Sequence, residues 1–429
     1  MEFRDHLAKL DRAGQLVRVR EPVSAEHEVA ALLKAHEGRP VLFEHVRESA
    51  LPVAGNLLST MELLCGSLGF PKEEWIARMR AALEHPGQPR AGRAEFDYVE
   101  PDLGLLPILT HYPKDQGPYV TSAVVFAQRG AVRNLSFHRL CRIGRDRFVG
   151  RLVEQRDLHT MYCEARDHGE DVDVAIAIGS RTGVLVAGAT SVARGVDELG
   201  IAAGLEGGIE VVPARTNRTQ YPADTEIVLE GKILHDETAP EGPFVDLTNT
   251  YDVVRVQPVF VVDRIALRKG ACYHALLPGG REHRLLMGAP RTPTVCRAIE
   301  AAGVAVTNVH LTEGGSGWLD AAIAIRKQRE TDPRRAIEAA IRGHRSLKRI
   351  TIVDSDVDVT DPSEVDYAVT MYWEAGKELV LTGVKGSSLD PMATPEGIGS
   401  KLGIDATRPL RVPPEKELKM RRAELAPHA

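Results

Sequence analysis

Apolar residues recur at two periods along this chain, and the dominant period changes twice. Over residues 1–70, Phe3, Leu7 and Leu10 fall at helical spacing, Val29, Leu32 and Leu33 repeat it within Glu26–His36, and Pro40–His45 reads as a strand. The stretch Glu84–Arg93 (EHPGQPRAGR) is polar and rich in Pro and Gly, which predicts a linker or long surface loop. From about 105 to 290 short β-rich runs take over: Tyr119–Phe126, Ala131–Phe137, Val172–Ile178, Gly183–Val186, Ile209–Val212, Glu226–Leu229 and Val253–Val262. Within that stretch a single helix is predicted, about Phe148–Arg166. After Pro290 strands and helices alternate: helices over Thr294–Ala302, Pro333–Ile341 and Pro362–Val369, and strands over Val304–His310, Arg349–Val353 and Leu379–Thr382. The tail Pro413–Ala429, with Lys and Glu dense around Leu418, Met420 and Leu425, predicts an exposed or partner-docked helix.

This rhythm divides the chain into a small N-terminal α/β portion (1–104), a β-rich barrel or sandwich (105–290), an α/β domain (291–405) and a tail (406–429). The fold class is therefore mixed, α+β with an α/β end. Composition narrows the function classes. A net charge of -6 with no clustered basic excess excludes a nucleic-acid footprint. The five cysteines, Cys65, Cys141, Cys163, Cys272 and Cys296, have no CxxC spacing, which argues against a disulfide framework or zinc ribbon and predicts a reducing, cytoplasmic setting. The N-terminus is charged from its second residue, unlike a signal peptide, and no apolar run is long enough to span a membrane.

Two segments carry candidate chemistry. In Asn134-Leu-Ser-Phe-His-Arg139 an amide able to ligate a cation precedes an arginine suited to orienting a carboxylate or phosphate. Arg142, Arg145, Arg147, Arg151 and Arg156 follow, and a solvated basic face is an equal reading for Arg145 and Arg147. In Glu237-Thr-Ala-Pro-Glu241-Gly-Pro-Phe-Val-Asp246, the carboxylates Glu241 and Asp246 flank a Gly-Pro turn and can project into one cleft in different environments. The plain alternative is a surface loop. His159, on the predicted helix, and Glu198, at the start of the run to Leu205, would by themselves be a structural histidine and an acid favouring a helix dipole.

NLSFHR, DELGIAAGL, EIVLEG, APEGPFVDLT and SSLDP…KLGIDAT occur in this order over essentially the whole chain. Together they resemble the UbiD family of prenylated-flavin-dependent (de)carboxylases, and the phrase EGPFVDLTNTYDVVRVQP is similar to its short archaeal-type branch. The resemblance implies a central FMN-binding split β-barrel and a C-terminal three-layer α/β oligomerisation domain. It implies prenylated FMN as cofactor, made by a flavin prenyltransferase, with Mn²⁺ or Mg²⁺ and K⁺ as a further candidate. The catalytic residues implied are Arg139, Glu241 and Asp246; the flavin contacts are Phe137, His138, Arg139, Arg151, Leu152, Val153, Arg156 and Asp157; the metal ligands are Asn134, His159 and Glu198. Here Val245 replaces the family's common Gly, and Asp246 replaces its common Glu, a shorter acid. Leu389, in Ser388-Leu-Asp390, is a candidate for a wall over the substrate.

The activity implied is non-oxidative decarboxylation of an aromatic, heteroaromatic or α,β-unsaturated acid by a homodimer or homohexamer. Some members of the short branch act on anhydromevalonate phosphate, so a non-aromatic alkenoic acid stands beside an aromatic one. The other readings are an ordinary FMN oxidoreductase and a non-catalytic decarboxylase-like subunit; a metal hydrolase ranks last. Asp354-Ser-Asp356-Val-Asp358 lacks the Gly and distal Glu of an EF-hand and reads as a surface turn, as does Gly314–Gly317.

Overall fold

The computed structural model describes residues 1–193 and 195–420, and these form two compact units, Met1–Pro290 and Arg291 onward.

The first unit is organised around a nine-stranded sheet whose pairings are all antiparallel. Its spine is two long strands, Ile227–Glu241 and Arg255–Arg268. Val172–Ile178 pairs with the first and also with Val124–Arg129, which in turn pairs with Val132–Phe137. On the other side Arg147–Gly150 and Leu140–Arg142 follow the second long strand. Phe96–Val99 also pairs with it, so the chain ahead of residue 105 contributes to the central sheet. A four-stranded sheet of Val17–Val19, Val41–Phe43, Val53–Gly55 and Tyr273–Ala275 likewise mixes early and late segments. The expected linker at 84–93 is short: Arg90–Ala91 pairs with Glu210–Pro213.

The two long strands are not uniformly paired. A register shift falls at Glu230/Gly231, where a Cβ on Gly231 would meet Val261 O at 1.9 Å, so only glycine permits that approach. A second shift lies between Ile233 and Thr238. Beyond it the strands continue as an arm in which Glu241 faces Arg255.

Three expectations need correction. The predicted helix Phe148–Arg166 is a strand, Arg147–Gly150, followed by a helix, Asp157–Arg166. Phe148 is wholly buried opposite Phe260, and that cross-strand packing outweighs the helical reading of the charged stretch behind it. The predicted strand Gly183–Val186 is part of a helix, Thr182–Ala189, buried all round. A short apolar run carries no periodicity that separates the two. The tail, where described, forms two 3-10 turns, Pro414–Lys416 and Leu418–Met420; Leu425 and the rest of the expected helix lie outside the described residues.

The second unit is a five-stranded mixed sheet in the order Ala305–Leu311, Asp320–Arg326, Arg349–Asp354, Ile398–Asp405, Leu379–Lys385. The helix Pro362–Tyr372 packs on the face bearing Ala322, Ala324 and Val353. Ile337, from the helix Asp332–Gly343, presses close enough to Gly403 that a Cβ there would sit at 2.4 Å. The strand Asp320–Arg326 reads AAIAI because both its faces are buried, which hides it from an alternation test. In the Asp354–Asp358 turn, Arg408 pairs with Asp354 and Asp356, and Thr360 donates to Asp358.

Phe260→Ala, in the buried part of the longest pairing, should lower the unfolding free energy of the apoprotein by about 3–5 kcal/mol in chemical denaturation. Val256→Ala on the same strand, 68% exposed, should stay within about 0.5 kcal/mol of wild type.

Candidate active site

The strand Val132–Phe137 ends at the site, and its period-2 alternation divides the work. Asn134, Ser136 and, just past its end, His138 share one side. The Ser136 hydroxyl lies 2.8 Å from Asn134 Oδ1 and 2.9 Å from His138 Nε2, and His138 Nδ1 lies 2.9 Å from the Arg151 carbonyl. Burial pushes the His138 imidazole down to about 4, although its bond to Arg151 and the Arg151 charge act in opposite senses. The ring is neutral at physiological pH, so its Nδ1–H donates to that carbonyl.

Arg139 follows, in the turn before Leu140–Arg142. Its guanidinium grips Glu241 with two hydrogen bonds, Nε to Oε1 and Nη2 to Oε2, both 2.8 Å. Nη1 donates to Asp246 Oδ2 at 2.9 Å and Nη2 to Asp252 Oδ2 at 3.1 Å. The Phe244 ring covers one face of the guanidinium, its centroid 4.7 Å from Cζ. Burial alone would lower the guanidinium's proton affinity; Glu241, then Asp246 and Asp252, more than offset that, so Arg139 stays charged. Glu241 is fully buried and also accepts from the Tyr119 hydroxyl at 3.2 Å.

The carboxylates reach Arg139 because of the arm. Glu241 sits at the end of its strand; Gly242, at φ 103°, turns the chain where an added Cβ would crowd Val253 O at 3.1 Å. The Gly242–Pro243 peptide is cis. The short hairpin Phe244–Val245 / Tyr251–Asp252 then sets Phe244 opposite Asp252 and leaves Asp246 at its turn.

These groups open on a cavity of about 160 Å³ lined by Phe137, His138, Arg139, Arg151, Val153 and Asp246 of the sequence-derived set. Its further walls are Thr121, Phe244, Leu276, Pro278, His283, Leu286 and Met287. Leu152 does not line it: the side chain is in the core and its N–H donates to Gln257. Arg156 donates to Ser191 instead, and Asp157 faces a different cavity. Arg151, though lining, is paired with Glu154 through both oxygens at 2.9 Å.

Sequence reasoning missed Tyr119, Asp252 and His283. Asp252 is legible only through the hairpin register, and no spacing in the chain relates His283 to Arg139. Burial pushes the His283 imidazole down, against the pull of Asp246, and its Nδ1 accepts the Gly279 N–H at 3.1 Å. The neutral ring therefore carries its proton on Nε2.

Of the expected metal ligands, Asn134 and Glu198 come together. Glu198 opens the helix Glu198–Glu206 behind the N-cap Asp197. It accepts from Asn134 Nδ2 and from the Leu135 N–H, both at 3.0 Å. Burial raises its carboxyl to about 7 in spite of backbone hydrogen bonds, with Asp197 and Asp157 adding to the rise. Asp157 and Glu164 line the same small cavity as Asn134 and Glu198. Among the described residues no three of His, Cys, Asp or Glu converge on one point, but Glu198, buried with no cation paired to it among the described residues and set beside the Asn134 amide, offers the oxygen donors that a hard cation such as Mg²⁺ or Mn²⁺ takes. His159 is not brought to it. Asp157, Met161 and Glu164 share the helix face turned to that cavity, and His159 is two residues off that row, its ring nitrogens 3.8 Å from Cys163 Sγ.

Residues 7–83, 88–281 and 284–406 match, in turn, the N-terminal, Rift-related and C-terminal domains of 3-octaprenyl-4-hydroxybenzoate carboxy-lyase. The chain belongs to the UbiD family. It is 42% identical to an anhydromevalonate phosphate decarboxylase of Methanothermobacter thermautotrophicus over 94% of this chain and 96% of that one. It is 40% identical to the Methanosarcina mazei protein of the same name, over 96% and 97%. The UbiD-class enzyme HmfF of Pelotomaculum thermopropionicum, solved with FMN, superposes with a TM-score of 0.94 at 36% identity, over 99% of this chain and 97% of HmfF. Klebsiella pneumoniae 3,4-dihydroxybenzoic acid decarboxylase, at 23% identity, shares the fold with a TM-score of 0.92 over 100% and 98%.

If Glu198 and Asn134 hold the cation without His159, Glu198→Gln should weaken Mn²⁺ binding to the protein by about 10–100-fold. His159→Ala should leave the affinity within about twofold, and isothermal titration of the two variants separates the cases.

Proposed function

We propose that this chain is a prenylated-FMN-dependent carboxy-lyase that decarboxylates an α,β-unsaturated acid. The observation that carries this reading is a charged arginine, Arg139, clamped by buried Glu241 and by Asp246 at the mouth of a largely apolar cavity. The residues present fit the cofactor: Phe137, Val153, Leu276, Leu286 and Met287 offer apolar wall, and Arg151, on leaving exposed Glu154, a cation for a phosphate. When bound, prenylated FMN supplies an electron sink for the charge left as CO₂ departs.

The protein's own residues perform the rest. Arg139 orients the substrate carboxylate by a charge-assisted hydrogen bond. Glu241 fixes the guanidinium through two hydrogen bonds, and Tyr119 holds Glu241. Asp246, 25% exposed at its side chain and turned to the cavity, delivers the proton to the carbon that loses CO₂. The apolar walls keep water from the carboxylate, which favours its conversion to neutral CO₂.

For the substrate class, likeness to anhydromevalonate phosphate decarboxylases favours a branched alkenoic acid bearing a phosphate over an aromatic acid. The same reading assigns the divalent cation, Mn²⁺ or Mg²⁺, to Asn134 and Glu198. It takes the chain to be a cytoplasmic homo-oligomer, dimer or hexamer, supplied by a flavin prenyltransferase; family membership supports these points.

After co-expression with a flavin prenyltransferase, mass spectrometry should find prenylated FMN on the protein, and the loaded enzyme should release CO₂ from anhydromevalonate phosphate. Glu241→Gln should keep the flavin and lose about 10³-fold or more in kcat. Unmodified FMN on the purified protein together with wild-type turnover by the Gln variant would overturn the assignment.

A further inference from the structure

Arg139 carries five N–H donors, and four are committed. Nε and one Nη2 hydrogen go to Glu241, the second Nη2 hydrogen goes to Asp252, and one Nη1 hydrogen goes to Asp246. The donor left over is on Nη1, the nitrogen that serves Asp246. A carboxylate entering the cavity thus meets one open N–H beside Asp246, and a two-pronged grip would require an acid to let go.

The charge count points the same way. Three carboxylates, Glu241, Asp246 and Asp252, face two guanidiniums, Arg139 and Arg255, the latter bound to Asp252 Oδ2 at 2.7 Å. A substrate carboxylate adds a further negative charge, which favours a proton on one of the acids. Glu241 uses both oxygens on Arg139. Asp252 Oδ2 accepts from both arginines, and its Oδ1 accepts the Val253 N–H. Burial works to raise the Asp252 carboxyl, but Arg255 and then Arg139 outweigh it, and it sits below the usual range. Asp246 has one bond from Arg139 and one from the Leu247 N–H, and it faces the cavity.

We infer that Asp252, with Arg255 behind it, is a positioning residue for this reaction: it selects the N–H of Arg139 that stays open, and its negative charge keeps the proton on Asp246. The inference rests on the reading of Asp246 as proton donor. The other charged or titratable groups toward Asp246 are Glu241 and Arg139, His283 and Arg284 on the helix Arg281–Gly288, and Asp115, near the Val245 backbone. Of these, only Arg139 is in direct contact with Asp252, and Asp252→Asn keeps an oxygen acceptor for it.

Isotope-edited infrared spectroscopy on the full-length protein tests it without requiring turnover. The carboxyl C=O band present in wild type and absent in Asp246→Asn reports the Asp246 proton, and its loss is followed against pH. Asp252→Asn keeps an oxygen acceptor for both arginines but removes a negative charge, so the band should be lost about one pH unit lower. Arg255→Gln removes a positive charge and should move the loss about one unit higher, while Arg255→Lys restores it. In the loaded enzyme, the fall of kcat at high pH should move down with Asp252→Asn by the same amount. An unmoved band, shifts of the same sign in Asp252→Asn and Arg255→Gln, or a kcat profile that ignores the band shift would each overturn the inference. A wild type that turns over no acid while the band shifts as described would count against the proposed function and leave the role of Asp252 standing.

Discussion

The buried pairing of Arg139 with Glu241 is the constraint around which the first unit is arranged. A guanidinium and a fully buried carboxylate are tolerated only because each satisfies the other through two short hydrogen bonds. Losing Arg139 would leave Glu241 as an uncompensated charge in the interior, at a cost of about 3–5 kcal/mol, whereas Arg139 without Glu241 would still have Asp246 and Asp252. Arg139 comes from a turn between two short strands and Glu241 from the end of a long one, about a hundred residues later. The antiparallel sheet, with its bulge at Gly231 and its slip after Ile233, carries one to the other.

Once that pair is placed, the remaining groups follow from local geometry. The hairpin after Gly242 hangs two more acids and an aromatic face on the same guanidinium. The strand Val132–Phe137 ties the arginine to the Asn134–Glu198 pair, since Ser136 and His138 bridge from the amide to the Arg151 backbone. With His138 neutral and its Nδ1–H on the Arg151 carbonyl, the single Ser136 hydroxyl hydrogen serves either His138 Nε2 or Asn134 Oδ1. The candidate cation site and the carboxylate-handling site are thus two ends of one contiguous polar segment.

Much of this was legible in the residues. Ordered motifs pointed to the family, the β-rich middle and βα-alternating end were visible as a change of period, and Arg139, Glu241 and Asp246 lay within motifs. What failed had a physical reason in each case. Thr182–Ala189 and Asp320–Arg326 are buried on all sides, so neither shows the alternation that tells helix from strand. Phe148 belongs to a strand because Phe260 waits across the sheet, a partner that no local window contains. Where His159 lies relative to Asn134 is likewise set by helical rotation, which leaves it two residues off the row that Asp157 and Glu164 present and which spacing along the chain does not show.

The sequence by itself determined the family, the change from β-rich to βα architecture, and the kinds of side chain available for the chemistry, because those depend on residue type and short-range spacing. Tertiary structure alone decided that Asp252 and Tyr119 join the Arg139 network, that His283 faces the same cavity, and that Asp157 and Glu164 line one cavity with Asn134 and Glu198. Those outcomes turn on strand register, on the rotation of one helix and on which donors of a single guanidinium are already taken. They are relations between residues far apart in the chain, and they come into being only when the long strands pair.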